Sequence, residues 1–418
     1  MRIIPIAYLA SYLLSLLGNS IAGVALPLIV LQVTGSALGA GAVATATAIP
    51  AVLAGLVMGV VIDRINRRTS SVLTDLVSAV SVAALPLADL VFGLNLGWFV
   101  LFGILGSLGD VPGMTARDAL LPAIVRHGGI GAERLVGIRE ALSSVAILLG
   151  PAAAGGLMVV FDGSTVLWIT AGTSFAAALL TLLIPRRVGD VVRSDGMIAP
   201  TPGSGWSQLR EGWRALIGSP FLMVTTTLSL ISVLVLGALQ GLILPVYFTL
   251  LEQPGMLGFV LSALAAGALG GGIIYAVAGK RGSRRTWFLA GLFGTALGLG
   301  IIAVLSSVWV VLAGAVVVGV ASGFFGSLMG VLMIERIPEQ MRGRIMGTQN
   351  AVMTAAAPLG IMAAAASTQA FGVNIAAIVL TSVWLVAIVL GLSARSLRTL
   401  ESGSGSGDEA GGAVAEYA

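Results

Sequence analysis

Long apolar runs separated by short polar stretches dominate this chain. No charged residue occurs between Ile3 and Ile62, which leaves room for two membrane-crossing helices of ~20 residues joined by a turn. Continuing this interpretation along the chain predicts twelve transmembrane helices. Their expected ranges are 5–32, 37–62, 70–93, 97–118, 138–160, 165–184, 220–248, 255–278, 286–306, 308–333, 346–368 and 374–394. The predicted fold class is an all-α polytopic membrane protein.

The longest polar interval divides these helices into two sets of six. We expect an N-terminal six-helix half at 1–185, a cytoplasmic linker at 186–219, a C-terminal six-helix half at 220–398 and a disordered cytoplasmic tail at 399–418. The linker should contain an amphipathic helix in the membrane interface, because residues 206–217 place tryptophan, leucine and isoleucine side chains on one stripe.

The two predicted halves repeat each other at an offset of about 217 residues. The segment Asp63-Arg-Ile-Asn-Arg-Arg-Thr69 corresponds to Lys280-Arg-Gly-Ser-Arg-Arg-Thr286, and Leu26-Pro27-Leu28 corresponds to Leu244-Pro245-Val246. Such a parallel duplication predicts pseudo-symmetric halves with a binding site between them near mid-membrane.

Composition and charge support the membrane assignment. Hydrophobic residues make up 57% of the chain and charged residues 10%, against roughly 25% charged in ordinary soluble domains. The net charge of +4 does not indicate a nucleic-acid partner, because the 22 lysines and arginines fall in clusters separated by pairs of apolar spans. Every cluster therefore lies on one side, which predicts a cell-membrane protein with both termini in the cytoplasm.

Several kinds of chemistry are excluded by the residue inventory. The chain has no cysteine, and its one histidine, His127, falls in an expected cytoplasmic loop. Disulfides, thiolate metal sites and imidazole clusters are therefore absent. No nucleophile–base or metal constellation is evident either, so we expect neither an enzyme nor a cofactor.

The loop from Gly59 to Arg68 permits two interpretations. It could be only a basic loop that sets orientation, with a glycine for close helix packing. Alternatively, Asp63 beside Arg64 forms a gating latch, supported by Arg67 and Arg68, that stabilises the outward-open packing of the cytoplasmic ends.

A further acid, Asp75, lies about six residues inside the third predicted helix. We expect it to bind the nearby basic loop and assign it to the same gate.

Three charged residues and one methionine share one face of the fourth predicted helix. They are Asp110, Met114, Arg117 and Asp118. Arg117 and Asp118 lie near the cytoplasmic end, where they could be interface anchors or could join Arg139 and Glu140 in an ion-pair network. Asp110 lies two turns deeper between uncharged stretches, where an ionised carboxylate is costly.

A soft, largely apolar cavity lining would accept varied ligands. The residues expected to contact substrate are Asn19, Asp110, Met114, Gln240, Phe324, Phe325, Met329 and Asn350. For any one of the aromatic residues and methionines, a lipid-facing or core position is an equal alternative.

The motifs resemble those of the major facilitator superfamily along the whole chain except the tail. The loop Gly59–Arg68 is similar to that superfamily's signature between helices two and three, and Leu149-Gly-Pro-Ala-Ala-Ala-Gly-Gly156 is similar to the helix-five motif of its antiporters. Further segments resemble the drug:proton antiporters of the macrolide-efflux, enterobactin-exporter and mycobacterial Tap types. These are Leu31-Gln-Val-Thr-Gly-Ser36, Gly113-Met-Thr-Ala-Arg-Asp118, Leu209-Arg-Glu-Gly-Trp213 and Ile337-Pro-Glu-Gln-Met-Arg-Gly-Arg344.

The resemblance implies a major facilitator fold and two site assignments. Gly150, Pro151 and Gly155 in helix five would seal the pathway against leak, although a kinked, closely packed helix explains the same residues. Gly18-Asn19 stands where relatives of the Tap type carry Gly-Asp. If that acid couples protons in the family, this chain must use another.

Elimination then favours Asp110 as the proton carrier. Asn19 cannot titrate, and the second half has no deep acid. Arg117, about two turns away, would oppose protonation if it approached Asp110. In the alternative, Asp110 is permanently paired and has a structural role. Asp118 and Glu140 are then the candidates for the proton carrier.

We therefore expect a proton-coupled antiporter that exports amphipathic small molecules and works as a monomer. The alternatives are a proton-independent facilitator or importer, and a transporter-fold sensor.

Overall fold

Helices account for the regular structure of the described chain. The computed structural model describes residues 3–62, 65–190, 213–214, 216–279, 281–336 and 339–393. Its long helices are α1 (Ile3–Thr34), α2 (Ala37–Ile62), α3 (Arg67–Phe92), α4 (Leu96–Gly128), α5 (Ala132–Val160), α6 (Gly163–Leu182), α7 (Pro220–Leu250), α8 (Pro254–Ala278), α9 (Arg284–Ala303), α10 (Val308–Arg336), α11 (Glu339–Phe371) and α12 (Val373–Ser393). Within the described residues, ten helices are long and apolar enough to cross a membrane. The all-α polytopic fold class is confirmed.

Three predicted helix ends were wrong by six residues or more. One is the start of α11, which is at Glu339 rather than at residue 346, and the other two lie at one connection. Helix α4 ends at Gly128 rather than at residue 118, and α5 begins at Ala132 rather than at residue 138. Hydropathy reports where the apolar stretch ends, whereas a helix ends where its backbone is capped. Here Gly129 adopts a left-handed conformation with φ 62°. His127 therefore lies in the last turn of α4 and not in a loop.

The sequence repeat has a counterpart in local structure. Asn66 caps α3 by accepting a hydrogen bond from the backbone N–H of Thr69 at 3.0 Å. Ser283 caps α9 in the same way, with the N–H of Thr286 at 3.1 Å. Because each cap satisfies a helix N–H that lacks an intrahelical partner, the two motifs set the same helix start in both copies.

The second pair of repeated segments differs in backbone. Pro27 lies inside a continuous α-helix, whereas a π-helical turn at Leu239–Ile243 precedes Pro245. Proline cannot donate to the carbonyl four residues earlier, which here belongs to Gly241, and the wider turn accommodates that interruption.

The chain forms two compact units. Unit 1 comprises residues 1–198, 238–262 and 361–373, and unit 2 comprises residues 199–237, 263–360 and 374–418. The predicted division into six-helix halves at 186–219 stays a prediction. The predicted interfacial helix lies largely outside the described residues, and the predicted tail lies entirely outside them.

Unit 1 is built around α1, α3 and α4. At one end, Tyr8, Leu120, Ile124, Leu135 and Ile184 form a buried apolar cluster. At the other end, the segments of α7, α8 and α11 that belong to this unit pack closely through glycines. A side chain at Gly41 would meet Ala365, and one at Gly241 would meet Ile361.

Unit 2 also depends on glycines where its helices approach. A Cβ at Gly291 of α9 would lie 3.0 Å from Phe325 Cβ of α10, and a Cβ at Gly267 of α8 would lie 3.1 Å from the Cα of Gly319. The indole Nε1 of Trp384 on α12 donates to the carbonyl of Leu292 at 2.9 Å. Small residues of this kind allow helices to pack by close backbone contact in lipid.

Candidate substrate and proton site

A cavity of about 350 Å³ lies entirely within unit 1. Residues of α1, α2, α3, α4 and α6 form its walls, and Gly241 and Ile361 contribute from α7 and α11. This volume falls in the range of roughly 300–1,000 Å³ that is typical of small-molecule pockets.

Small residues keep the cavity open. Ala40 and Ala44 of α2, and Gly103 and Gly106 of α4, line it. Gly23 of α1 also lines it, and a Cβ added there would meet no atom within 4 Å. The space exists because these positions lack the side chains that would fill it.

Asp110 is the charged residue of this cavity, since no other acidic or basic residue of the described chain lines it. The hydroxyl of Ser78 on α3 donates to its Oδ1 at 2.5 Å. Asn19 lines the same cavity. The structure therefore brings together Asn19 and Asp110, two of the predicted substrate residues, although their binding role stays a prediction.

Arg117 has a different acidic partner from the one considered in the coupling hypothesis. Its Nη2 donates to both carboxylate oxygens of Asp75, at 2.6 and 2.5 Å, and both side chains are buried, with 2% and 4% exposed. Ser15 donates to Asp75 at 3.3 Å, and the Tyr8 hydroxyl donates to the Arg117 carbonyl at 3.2 Å.

These contacts correct the expectation for Asp75 and exclude one of the two alternatives for Arg117. Asp75 pairs with Arg117 rather than with the basic loop, and Arg117 is a core residue rather than an interface anchor. The burial of Arg117 has a simple physical cause. Because α4 continues to Gly128, Arg117 lies about three turns from the helix end, deeper than its position next to residue 118 suggested.

The ion-pair network considered as the other alternative forms around Arg139, without Arg117. Arg139 pairs with Asp118, and its Nη1 lies 4.0 Å from Glu140 Oε1. Its guanidinium also lies over the ring of Tyr12, 4.9 Å from the centroid. Asp118 and Glu140 are 54% and 66% exposed, so this network is at the surface of the protein.

Of the other predicted substrate residues, those whose side chains are described do not line this cavity. Met114 is 36% exposed and is not part of the cavity wall. Gln240 lies in the π-helical turn, next to the cavity residue Gly241. The side chain of Asn350 lies outside the described residues.

The aromatic residues and the methionine assigned to the second half pack within unit 2. Phe324 contacts Trp287 with ring centroids 5.1 Å apart, and Phe325 lies 6.2 Å from Phe288. Met329 is buried. Their surroundings are those of helix-packing residues, as the alternative interpretation expected.

The described part of the basic loop binds backbone carbonyls. Asp63 and Arg64 lie outside the described residues, and Gly59 is described only as part of α2. Arg68 donates through Nη2 to Leu182 O at 2.6 Å and through Nε to Ile184 O at 3.0 Å. Arg67 donates to Ala119 O at 3.2 Å. Arg68 thus satisfies carbonyls at the C-terminal end of α6.

The predicted close packing of α5 is confirmed. A side chain at Gly150 would overlap Ser20 of α1, and a Cβ at Gly155 would lie 3.1 Å from the Cα of Gly258 on α8. A Cβ at Gly258 would in turn overlap the carbonyl oxygen of Pro151. Sealing of the pathway by these residues stays a prediction.

Ser78 was missed in the sequence. A register count around the turn between α3 and α4 could have found it, because Ser78 precedes Phe92 by 14 residues and Asp110 follows Leu96 by 14. Equal distances from a short turn place two residues of antiparallel helices at the same depth.

Comparisons of sequence identify related proteins. The sequence model of the Major Facilitator Superfamily matches residues 8–280 and residues 230–414. The multidrug efflux pump Tap of Mycolicibacterium fortuitum is 30% identical over 390 residues, which cover 93% of this chain and 94% of Tap. Macrolide efflux protein A of Streptococcus pyogenes is 23% identical over 369 residues, which cover 87% of this chain and 89% of that protein.

Solved structures show the same fold. The nucleoside transporter NupG superimposes with a TM-score of 0.73 at 14% identity, covering 96% of this chain and 100% of NupG. A bacterial homologue of the iron transporter ferroportin, in an inward-facing state, gives a TM-score of 0.71 at 16% identity and covers 93% of this chain and 98% of that protein.

Proposed function

Because the chain belongs to the Major Facilitator Superfamily, we propose that it is a secondary transporter that exports amphipathic small molecules in exchange for protons. The superfamily match also confirms the resemblance seen in the motifs. Tap is named as a multidrug efflux pump and the streptococcal relative as a macrolide efflux protein, and both similarities span nearly the whole chain. These relatives support export, and the apolar cavity supports amphipathic ligands.

One observation carries the proton part of the proposal: a carboxylate, Asp110, in the wall of a largely apolar membrane cavity. A charged carboxylate at this position is costly, so protonation relieves that cost. The state that opens outward would load the proton, and the state that opens inward would release it.

The Asp75–Arg117 pair suggests how release could be driven. In this structure Arg117 is held by Asp75. If the helices moved so that Arg117 exchanged Asp75 for Asp110, the positive charge would favour the ionised form of Asp110 and expel its proton. The gating roles of Asp63, Arg64, Arg67, Arg68 and Asp75, and the sealing role of Gly150, Pro151 and Gly155, remain part of the proposal. So do a monomeric transporter and cytoplasmic termini.

The test is transport by purified protein in proteoliposomes with an imposed pH gradient. A panel containing a macrolide and several amphipathic amines should accumulate against its gradient, and an uncoupler should abolish that accumulation. Substrate that still equilibrates after uncoupling, with no accumulation before it, would indicate a facilitator. Binding of substrate without any movement would indicate a sensor. Either result would overturn the antiport proposal.

A further inference from the structure

We infer that the cavity of unit 1 binds an amphiphilic cation whose charged end contacts Asp110 and whose apolar part extends toward Phe99. This inference rests on the proposed function, because it assigns the substrate class and its orientation. All the residues that line this cavity belong to one unit.

The lining changes from polar to apolar along the cavity, as seen on α1 and α4. Ser78 and Asp110 lie at one level of α3 and α4, where the Ser78 hydroxyl donates to Asp110, and Asn19 lines the cavity from α1. Val30 and Phe99 follow eleven residues away on α1 and α4, which corresponds to about 16 Å of helix. A ligand that satisfies this lining is polar at one end and apolar at the other.

The polar end has unused acceptors. Within the described chain, Asp110 accepts one side-chain hydrogen bond, from Ser78 to Oδ1. Asn19 makes no side-chain hydrogen bond with the described residues. Most hydroxyls of the lining are already satisfied by their own helices, as Ser81 bonds Val77 O at 2.7 Å and Ser107 bonds Ile104 O at 2.8 Å. Within the described lining, Oδ2 of Asp110, the amide of Asn19 and the hydroxyl of Ser174 are the side-chain groups that remain for a ligand.

The charged side chains of the cavity lining favour a cationic ligand. One carboxylate and no basic side chain of the described chain line the cavity, and Arg117 is occupied by Asp75. An anion would face an unpaired carboxylate in an apolar site, which is unfavourable. An ammonium group pairs with that carboxylate through charge-assisted hydrogen bonds, whereas an alcohol of equal size leaves the charge without a counter-ion.

The test compares 4-phenylbutylammonium with 4-phenylbutan-1-ol, which share the apolar part and differ in charge. Binding is measured by isothermal titration calorimetry at neutral pH on the full chain in phosphatidylcholine nanodiscs, with empty nanodiscs subtracted. We expect the ammonium to bind at least tenfold more tightly than the alcohol. Asp110→Asn should reduce this ratio to about one, and Asp110→Glu should restore part of it. The matched control is Asp89→Asn, which changes an exposed acid that accepts from Ser164 and leaves the cavity unchanged.

A second pair of variants tests the location independently of charge. Gly23→Phe should fill the cavity without a clash at Cβ and weaken binding of both probes at least tenfold. Gly172→Phe on α6 also has open space at Cβ but does not line the cavity, so it should bind both probes like the unchanged chain. All variants should elute as the same species in size-exclusion chromatography.

The outcomes separate this inference from the proposed function. Equal binding of ammonium and alcohol, or normal binding by Gly23→Phe, would overturn the inference even if proton-driven transport were observed. Selective binding that depends on Asp110 and Gly23, in a protein that does not transport against a gradient, would support the site and overturn the antiport proposal.

Discussion

Two acidic residues of unit 1 have different surroundings and should have different roles. Asp110 faces a cavity and accepts one hydrogen bond from Ser78, whereas Asp75 is enclosed with the guanidinium of Arg117. A carboxylate that faces open space can exchange its proton or its counter-ion. A carboxylate fixed by two hydrogen bonds from one guanidinium mainly holds α3 to α4.

Asp110→Asn should abolish proton-driven accumulation and retain downhill exchange of substrate, because asparagine resembles the protonated acid and cannot release a proton. Accumulation and exchange are measured separately in proteoliposomes, with and without a pH gradient. Asp89→Asn serves as the control and should accumulate substrate normally. Full gradient-driven export by Asp110→Asn would exclude this residue as the proton carrier and direct attention to Asp118 and Glu140.

Asp75→Asn should destabilise the protein by about 3–5 kcal/mol, because it leaves the buried guanidinium of Arg117 without a counter-ion. Asp118→Asn removes an acid that is 54% exposed and should cost about 0–1 kcal/mol. Reversible denaturant unfolding of the purified variants measures both. The double variant Asp75→Leu with Arg117→Met should recover much of the loss. Equal stability of the two single variants would contradict the structural role of the buried pair.

At the scale of elements, connections between helices are fixed by side chains that bind exposed backbone carbonyls. Asn66 caps the start of α3, and its Nδ2 donates to Arg186 O at 2.9 Å and to Asp190 Oδ1 at 2.7 Å. The neighbouring Arg68 binds carbonyls at the end of α6. The basic loop therefore joins α3 to the chain that follows α6, a function that charge alone did not predict.

Arg68→Ala should destabilise this junction by about 1–3 kcal/mol, because the carbonyls of Leu182 and Ile184 lose a charged donor. Hydrogen exchange of the C-terminal turn of α6 should increase with little change in α1. Arg126→Ala removes an exposed arginine at the end of α4 and is the matched control. Unchanged exchange at α6 in Arg68→Ala would show that the cap is dispensable.

The sequence predicted which segments form helices, but it did not predict which side chains of different helices meet. Hydrocarbon thickness imposes span lengths, so six of the twelve predicted spans agree with the structure within two residues at both ends. Pairing of Asp75 with Arg117 depends on the register of α3 against α4 and on the length of the arginine side chain. A hydropathy pattern gives neither the register of two helices nor the reach of a side chain. The shared cavity of Asn19 and Asp110 similarly depends on where small residues of several helices meet.

At the scale of the whole molecule, the topology follows from the distribution of charge. We expect Arg126 to face the cytoplasm and Glu252 to face the outside, because basic clusters are retained on the cytoplasmic side. Since the chain has no cysteine, single introduced thiols report position without any background. In intact cells, a membrane-impermeant maleimide should label Glu252→Cys and should not label Arg126→Cys until the cells are permeabilised. The reverse pattern would invert the proposed orientation.

The contact of Gly155 with Gly258 limits how this sequence can diverge. Each glycine occupies the space that a side chain on the other helix would need, so a substitution at one position cannot be compensated by shrinking the other. Evolution then has no stepwise route through this pair, whereas the adjacent Gly156, with no atom within 4 Å of its added Cβ, is open to change. Two neighbouring glycines of one helix should therefore accumulate substitutions at very different rates, for reasons of geometry rather than of chemistry.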